Sequence, residues 1–331
     1  MKDKKICGVK IGEYGAFIAL IFLVLALSAI SPEFRTASNF LNLLRQASFN
    51  GLIAFGMTCV ILTGGIDLSV GSTFALSAII CAEMIMYGLP APVAVLFALA
   101  CGTVLGIVSG LLVTKGRLQP FIATLITMTA YRGMAMILTD GKPISRLAEH
   151  CSSGSFIFKA MGKGNLVSIF TDAIKIPIPA IILIAVFFAF YFLLNYTTYG
   201  RRIYATGSNE KCAALVGVNI NKVKLSVYAI SGLMSALAGL LMISRVNSAQ
   251  PNLGVGYELD AIAAVALGGT SMNGGRGKIA GTVAGVLIIA GGWVEGLYIL
   301  SNSLNILGVT SYYQEVIKAL VILIAVLSDR K

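Results

Sequence analysis

The sequence predicts an all-α membrane protein, a polytopic helical bundle of about ten transmembrane helices with one short helix that does not span. Two observations predict this fold class. Hydrophobic residues make up 57% of the 331 residues and charged residues only 12%, whereas a soluble domain carries about 25% charged residues. The chain also divides into apolar runs of membrane-spanning length, since about 20 helical residues cross a hydrocarbon core of about 30 Å.

The apolar runs set the expected order of the helices. They lie at approximately 14–30, 48–63, 72–87, 91–114, 120–138, 177–194, 225–244, 257–269, 279–298 and 313–328. An even number of spans returns the C-terminus to the side of the N-terminus. We expect residues 1–331 to form a single transmembrane domain, with an outer loop at about 139–176 and a cytoplasmic loop at about 195–224.

The basic residues indicate the orientation. The net charge is +11, which in a soluble protein would suggest nucleic acid as a partner. Here the basic clusters at 115–117, 201–224 and 330–331 all fall on one side of the membrane if ten spans follow a cytoplasmic N-terminus. This is the positive-inside bias. We therefore expect a multi-pass protein in the lipid bilayer with both termini in the cytoplasm, and no nucleic-acid partner.

Residues that could carry catalysis are scarce. The six cysteines have no C-x-x-C spacing, so neither a disulfide framework nor a metal site is expected. The single histidine, His150, lies in the outer loop, and no Ser-His-Asp set or pair of catalytic carboxylates can be assembled. No segment matches the ATP-binding pattern G-x-x-x-x-G-K-[ST]. We expect no catalytic residues, no metal and no cofactor.

A Gly-rich polar segment, Gly64 to Ser72, separates the second and third apolar runs. It fits a discontinuous helix that lines a pathway, because backbone released from a helix at membrane depth must be buried in protein or face a water-filled cavity. An ordinary cytoplasmic turn fits equally well. A second Gly-Gly pair follows the eighth run at 268–269, and it is compatible either with duplicated halves or with chance.

Two carboxylates are the candidates for the membrane interior, Asp67 in the Gly-rich segment and Asp260 near the start of the eighth run. Charge at membrane depth is costly and often functional. We predict Gly65, Asp67, Ser69 and Asp260 along a substrate pathway. Alternatively, either carboxylate caps a helix or pairs locally.

The cytoplasmic loop predicts a short helix at 209–216, too short to span. Ser208 fits the N-cap, Glu210 complements the positive helix end and Gly217 fits the C′ position. The helix would be marginal alone and needs packing to persist. It is either a docking knob for a motor subunit or a connecting helix on the bundle, and the residues concerned are Ser208, Asn209, Glu210, Lys211, Leu215, Val216 and Gly217.

Three motifs occur together, Gly65-Ile66-Asp67-Leu68-Ser69-Val70-Gly71-Ser72, Tyr199-Gly200-Arg201-Arg202-Ile203-Tyr204-Ala205-Thr206-Gly207 and Tyr257-Glu258-Leu259-Asp260-Ala261-Ile262-Ala263-Ala264-Val265-Ala266-Leu267-Gly268-Gly269-Thr270-Ser271. From about Leu41 to Lys331 the chain resembles the ribose-type permeases of bacterial ABC sugar importers. The outer loop at 139–176 is the stretch least like the family.

The resemblance implies several partners and a location. They are a separate cytoplasmic ABC ATPase, a second permease copy, an extracytoplasmic sugar-binding protein, a monosaccharide such as ribose and the bacterial inner membrane. It also implies that the segment from Ser208 to Val218 is the coupling helix that meets the ATPase, and that transport proceeds by alternating access. The competing class is a secondary carrier or passive channel, for which buried ionisable relays would be expected.

Overall fold

In the computed structural model, the residues that can be described are 5–6, 9–10, positions 17, 18, 20–22, 24–25 and 28–29, then 32–151, 158, 160–162, 164–166, 176–289, and positions 313, 316 and 320. Most of the first and last predicted spans, the C-terminal part of the ninth and much of the outer loop lie outside these residues.

Within the described residues the fold is helical. The α-helices are α1 Ala37–Leu62, α2 Val70–Met86, α3 Ala91–Thr114, α4 Pro120–Thr139, α5 Leu147–His150, α6 Ile178–Tyr196, α7 Thr198–Ser208, α8 Glu210–Leu215, α9 Ile220–Val246, α10 Tyr257–Leu267 and α11 Ile279–Ile289. A 3-10 turn at Glu33–Arg35 precedes α1. The strands are β1 Lys5–Ile6, β2 Val9–Lys10, β3 Ile144–Ser145, β4 Asn165–Leu166, β5 Ile176–Pro177 and β6 Ser248–Ala249.

The strands form three two-residue antiparallel pairs. β1 pairs with β2, β3 with β6 and β4 with β5. In the second pair Ile144 faces Ala249 and Ser145 faces Ser248, which joins the segment after α4 to the segment after α9. The same junction is held by Asn247, whose side-chain oxygen accepts a 2.8 Å hydrogen bond from the Ala148 amide. The end of α4 and the end of α9 therefore lie at the same end of the bundle.

The predicted runs correspond closely to helices where the structure describes them, with one large difference. α1 begins at Ala37 rather than at residue 48, and Thr36 caps it by accepting a hydrogen bond from the Asn39 amide at 3.3 Å. The first turns of α1 are rich in polar side chains, so their helical conformation leaves no signal in an apolar run. Prolines at the first turns of α3, α4 and α6 fix the other starts.

Among the residues that the structure describes, the helices α3, α4, α6 and α9 are long and apolar enough to cross a membrane, and α2 and α11 are shorter apolar helices. Their burial differs sharply. The most apolar window of α9 is 72% buried, compared with 22% for α6 and 28% for α4. α9 is thus the central helix of the described bundle, while α4 and α6 present apolar surface outward, as lipid contact requires. The predicted number of ten spans is neither reached nor refuted by these residues.

The backbones of α3 and α9 approach each other closely in the core. Gly102, Gly106 and Gly110 recur every four residues on α3, and an added Cβ at Gly106 would lie 2.2 Å from the Tyr228 carbonyl oxygen on α9. Gly232 of α9 fits as closely against α3, 2.2 Å from the Gly102 carbonyl oxygen. Small residues at this spacing let membrane helices approach closely. The glycine spacing marks a helix face for close packing, but it does not identify α9 as the partner.

Candidate pathway break and coupling site

The Gly-rich segment after α1 is a buried break inside the bundle. α1 ends in a Schellman-type cap, in which the Gly65 amide donates to the Val60 carbonyl at 3.1 Å and the Gly64 amide to the Ile61 carbonyl at 2.8 Å. Gly64 has φ +77°, a conformation that favours glycine at this position. From Gly65 to Ser69 all residues are buried except the half-buried Ile66. The segment is thus a buried turn, because α1 passes Arg245 and then Ser231 of α9 whereas α2 leads back from Ser231 toward Gly239. Whether it lines a pathway stays a prediction.

The break reaches well into the bundle. Asp67 contacts Ser231, which lies 11 residues after the start of α9 at Ile220, or about 16 Å along the helix at 1.5 Å per residue. α2 then starts at Val70 from this depth. The chain between α1 and α2 therefore runs through the interior of the described bundle.

The Asp67 carboxylate is fully engaged by neighbouring donors. Its Oδ1 accepts hydrogen bonds from the Ser69 amide at 3.0 Å and the Ser69 hydroxyl at 2.6 Å. Its Oδ2 accepts a 2.7 Å bond from the Ser231 hydroxyl. Asp67 is 1% exposed, and a buried charge requires such partners. The alternative of local pairing thus describes the Asp67 side chain, and a direct contact of Asp67 with substrate stays a prediction.

Other side chains bond the backbone that the break releases from helical pairing. The Ile66 carbonyl accepts from the Tyr228 hydroxyl of α9 at 3.2 Å and from the Thr124 hydroxyl of α4 at 3.3 Å. A row of hydroxyls continues from Ser69, whose Oγ lies 3.3 Å from that of Ser109, and Ser109 donates to Thr127 at 3.0 Å. The break is thereby fixed to α3, α4 and α9.

The sequence did not single out these hydroxyl partners. They are scattered through apolar runs, where serine and threonine are unremarkable residues. The available signal was the need of the break for donors, which pointed to polar side chains on neighbouring helices without saying which.

Gly65 and Asp260 occupy different surroundings. An added Cβ at Gly65 would lie 2.8 Å from the Tyr228 hydroxyl, so Gly65 packs closely against α9. Asp260 lies in the first turn of α10 and is 9% exposed. Asp260 and Tyr257 are electrostatic neighbours, and Arg245 at the end of α9 is a further neighbour of Tyr257. Asp260 thus belongs to a cluster near the end of α9, distinct from the donors around Asp67.

The short cytoplasmic helix forms, with one correction to its start. α8 spans Glu210–Leu215 and its N-cap is Asn209, whose side-chain oxygen accepts the Cys212 amide at 3.0 Å. The predicted N-cap, Ser208, is instead the last residue of α7. The reason is that the Asn209 amide still bonds helically to the Ala205 carbonyl at 3.1 Å, so α7 continues through Ser208.

The end of α8 and its surface agree with the sequence. Gly217 has φ +85°, and the Val218 amide donates to the Ala213 carbonyl at 3.0 Å, which is the C′ geometry predicted for Gly217. Leu215 is 86% exposed and Val216 79% exposed, and Lys211 is also exposed. α8 therefore projects an apolar tip beside a basic residue.

α8 is held to the bundle through its neighbours. Glu210 forms a salt bridge with Lys224 of α9. On α7, the Tyr204 hydroxyl donates to the Gly277 carbonyl at 2.9 Å. Gly207 packs directly on the end of α1, where an added Cβ would lie 1.8 Å from the Leu62 carbonyl oxygen. Helix α7, which carries α8, thus contacts the start of the break.

The loop between α10 and α11 also contacts the end of α1. The Gly275 amide donates to the Leu62 carbonyl at 2.9 Å, so the end of α1 is shared by α7 and this loop. Gly269 ends α10 with φ +80°, as Gly64 ends α1, and the Thr270 amide donates to the Val265 carbonyl at 3.2 Å. The two Gly-Gly segments therefore have the same cap, although whether they derive from duplication stays a prediction.

Basic residues gather at the α8 end of the bundle. An added Cβ at Gly110 of α3 would lie 3.2 Å from the Leu225 side chain of α9, so the end of α3 and the start of α9 are neighbours. Lys115 and Arg117 follow α3 directly and lie at the same end as α7, α8 and the Gly275 loop. Within the described residues, no group of three or more His, Cys, Asp or Glu side chains could hold a metal ion.

Comparison with known proteins agrees with the family inferred from the motifs. The family described as branched-chain amino acid transport system, permease component, matches residues 39–326. The ribose import permease protein RbsC of Bacillus subtilis (strain 168) is 50% identical over 319 residues, covering 96% of this chain and 93% of that protein. RbsC of Escherichia coli (strain K12) is 46% identical, covering 96% and 94%.

A more distant relative is the L-arabinose transport system permease protein AraH of Escherichia coli (strain K12), 36% identical over 96% of this chain and 90% of that protein. No solved structure matches the chain. The apolar helices and these relatives make the chain an integral inner-membrane protein, a transport subunit and not an enzyme. With full-length matches to RbsC and a family match across all three motifs, the chain belongs to the ribose-type permeases of ABC transporters.

Proposed function

We propose that this chain is the membrane-spanning subunit of a binding-protein-dependent importer that carries ribose or a similar monosaccharide. The observation that carries the proposal is identity of 46% to 50% with ribose import permeases over 96% of the chain. Identity falls to 36% for the L-arabinose relative, so ribose is the first sugar to test. ATP is hydrolysed by a separate cytoplasmic subunit, and an extracytoplasmic sugar-binding protein delivers the sugar.

The orientation we propose places α8 and both termini in the cytoplasm, with ten spans in one transmembrane domain. The clustering of Lys115, Arg117 and the 201–224 region at the α8 end supports it, because basic residues favour the cytoplasmic side. A docking role for α8 is supported by its exposed Leu215 and Val216, since an apolar tip that faces water is typical of an interaction site. The expected partner is the ATPase subunit.

The contacts at the end of α1 suggest how movement of α8 would be transmitted. α7 carries α8, and Gly207 of α7 packs on the Leu62 carbonyl where the break begins. The break then ends at Asp67, which is bonded to Ser231 of the central helix α9. A displacement of α8 by the ATPase would therefore reach the break, and through Asp67 the middle of α9, by this continuous set of contacts, in addition to the direct Glu210–Lys224 link to the start of α9. A second copy of the permease would complete the pathway between two such bundles.

We keep Gly65, Asp67, Ser69 and Asp260 as pathway residues with different roles. Asp67 and Ser69 shape the break from within, because both are buried and bonded to neighbouring residues of the same chain. Asp260, in the first turn of α10, lies in the separate cluster with Tyr257 and Arg245. Weak contacts suit a permease, since tight binding would slow release.

The test is uptake of radiolabelled ribose by proteoliposomes that contain this chain with its ATPase subunit, with the sugar-binding protein outside and ATP inside. Uptake that needs ATP and both partners is the expected result. Uptake by the chain alone would contradict the proposal and indicate a carrier or channel. The matched control is the same preparation with a variant ATPase that binds ATP without hydrolysing it.

A further inference from the structure

One face of α1 collects polar side chains that neither the break nor α8 uses. Asn42, Arg45, Gln46, Phe49 and Asn50 follow each other at helical spacings of three, one, three and one residues, so they share a face. The other faces of α1 pack on apolar neighbours. Gly51 lies against Leu183 of α6, and Phe55 packs on Phe187 with ring centroids 6.2 Å apart.

Charged groups from two other helices adjoin this face. The Arg245 guanidinium, in the last turn of α9, lies 5.7 Å from the centre of the Phe49 ring. It is also close enough to Arg45 for the two charges to repel each other. Tyr257 of α10 has both Arg245 and Asp260 as electrostatic neighbours. Helices α1, α9 and α10 therefore bring two guanidinium groups, one carboxylate and three amides to the end of the bundle opposite α8.

Asn50 is the residue that points to a ligand. It is 1% exposed, and neither its amide nitrogen nor its amide oxygen has a hydrogen-bond partner. Leaving both ends of a buried amide unpaired is costly, and native proteins avoid it unless the group serves another purpose. An amide offers one acceptor and two donors, which matches a pair of neighbouring hydroxyls that can each donate and accept.

We propose that Asn42, Arg45, Gln46 and Asn50, together with Arg245 and Asp260, form a transient binding site for a neutral polyhydroxylated sugar on its way through the permease. This inference rests on the proposed function and assigns residues to its substrate. Amides and a mixture of positive and negative groups suit hydroxyls, whereas an anion site would lack the carboxylate. The Asn50 amide is covered in the described conformation, so the sugar reaches it when α1 and its neighbours move apart during the transport cycle.

The test uses Asn50→Leu, which keeps the branched shape and the number of heavy atoms of the side chain and removes the unpaired polar atoms. Because those atoms are unpaired, the variant should be as stable as the wild type or more stable. Ribose uptake at saturating loaded binding protein should fall by about tenfold, the effect of losing one or two hydrogen bonds to substrate. ATP hydrolysis stimulated by the binding protein should continue, since the site is remote from α8.

Thr58→Val is the matched control on the same helix. Its hydroxyl already bonds the Ala54 carbonyl at 2.7 Å and lies 2.9 Å from the Thr282 hydroxyl, so this variant should lose stability and keep its uptake per folded molecule. Wild-type uptake in Asn50→Leu, or a loss of uptake that follows a loss of stability, would overturn the site. If Asn50→Leu does not assemble, Asp260→Asn is tested instead, by the same measurements of ribose uptake and stability.

A thermal-shift experiment distinguishes a sugar site from an anion site. In detergent and without the binding protein, ribose at high millimolar concentration should raise the Tm of the wild type and not that of Asn50→Leu. A larger shift with ribose 5-phosphate would mark an anion site and contradict the inference. Failure of the wild type to import ribose with its partners would instead remove the proposed function, so the two failures are distinguishable.

Discussion

The Ser231→Ala variant tests whether the buried carboxylate holds the break to the central helix. The Ser231 hydroxyl donates to Asp67 Oδ2 at 2.7 Å, and both residues are 1% exposed. Hydrogen bonds to charged groups contribute about 1.5–3 kcal/mol, whereas side-chain bonds between membrane helices average about 0.6 kcal/mol. We expect Ser231→Ala to lower the free energy of unfolding by about 2 kcal/mol, because the acceptor is a carboxylate.

Ser235→Ala is the matched control for this measurement. Ser235 is as buried as Ser231 and lies one turn further along α9, but its hydroxyl donates to the Ser231 carbonyl of the same helix at 2.9 Å. Its loss should cost about 0.6 kcal/mol or less. Reversible unfolding in mixed micelles with increasing dodecyl sulfate, followed by far-UV circular dichroism, gives both values.

The outcome that would refute this account is equal destabilisation by the two serine variants. The Asp67→Asn background adds a second criterion. There the acceptor carries no charge, so the difference between the serine variants should shrink to below about 1 kcal/mol. An unchanged difference would mean that Ser231 acts through something other than the carboxylate.

Three further variants test other contacts. Gly106→Ala should destabilise the protein by about 1–3 kcal/mol, because the added methyl group overpacks against the Tyr228 carbonyl. Gly133→Ala has nothing within 4 Å of its added Cβ and should stabilise α4 by up to about 1 kcal/mol. Thermal unfolding that ranks the two variants in the other order would contradict the close packing of α3 on α9. Leu215→Asp should change stability by less than about 0.5 kcal/mol, because the side chain is 86% exposed, yet abolish ATPase binding in a pull-down; retained binding would show that α8 is not the docking knob. Gly207→Ala should leave ATPase binding intact and lower ribose uptake, since its methyl group would displace α7 from the end of α1; normal uptake would remove that contact from the coupling route.

Sequence patterns predicted the helices well where apolar runs coincide with them, as in α3, whose bounds are Ala91–Thr114. They failed at the start of α1, because Asn42, Arg45 and Gln46 are helical without being apolar. Hydropathy reports the environment of a residue and not its backbone conformation. A prediction based on the length of apolar runs therefore gives too short a helix where polar side chains face the protein interior.

The sequence could predict features set by neighbouring residues, but not contacts between residues far apart in the chain. Gly217 could be assigned to a C′ position from its own neighbourhood, and the structure confirms it with φ +85°. Ser208 and Asn209 are both good N-caps, and only the length of α7 decides between them. The donor to Asp67, Ser231, is 164 residues away in sequence, and no local pattern could identify it.

The row of hydroxyls beside the break bears on how a sugar permease avoids leaking protons across the membrane. Thr127 lies 3.2 Å from the Thr124 carbonyl of its own helix, Ser109 donates to Thr127, and Ser69 donates to Asp67. Each hydroxyl proton thus has an acceptor, and the three hydroxyl side chains and Asp67 are at most 3% exposed. A proton relay needs hydroxyls that can reorient and an entrance from water. These buried side chains have no such entrance in the described conformation. The polar groups that fix the break to its neighbouring helices therefore give the proton gradient no route by which to discharge.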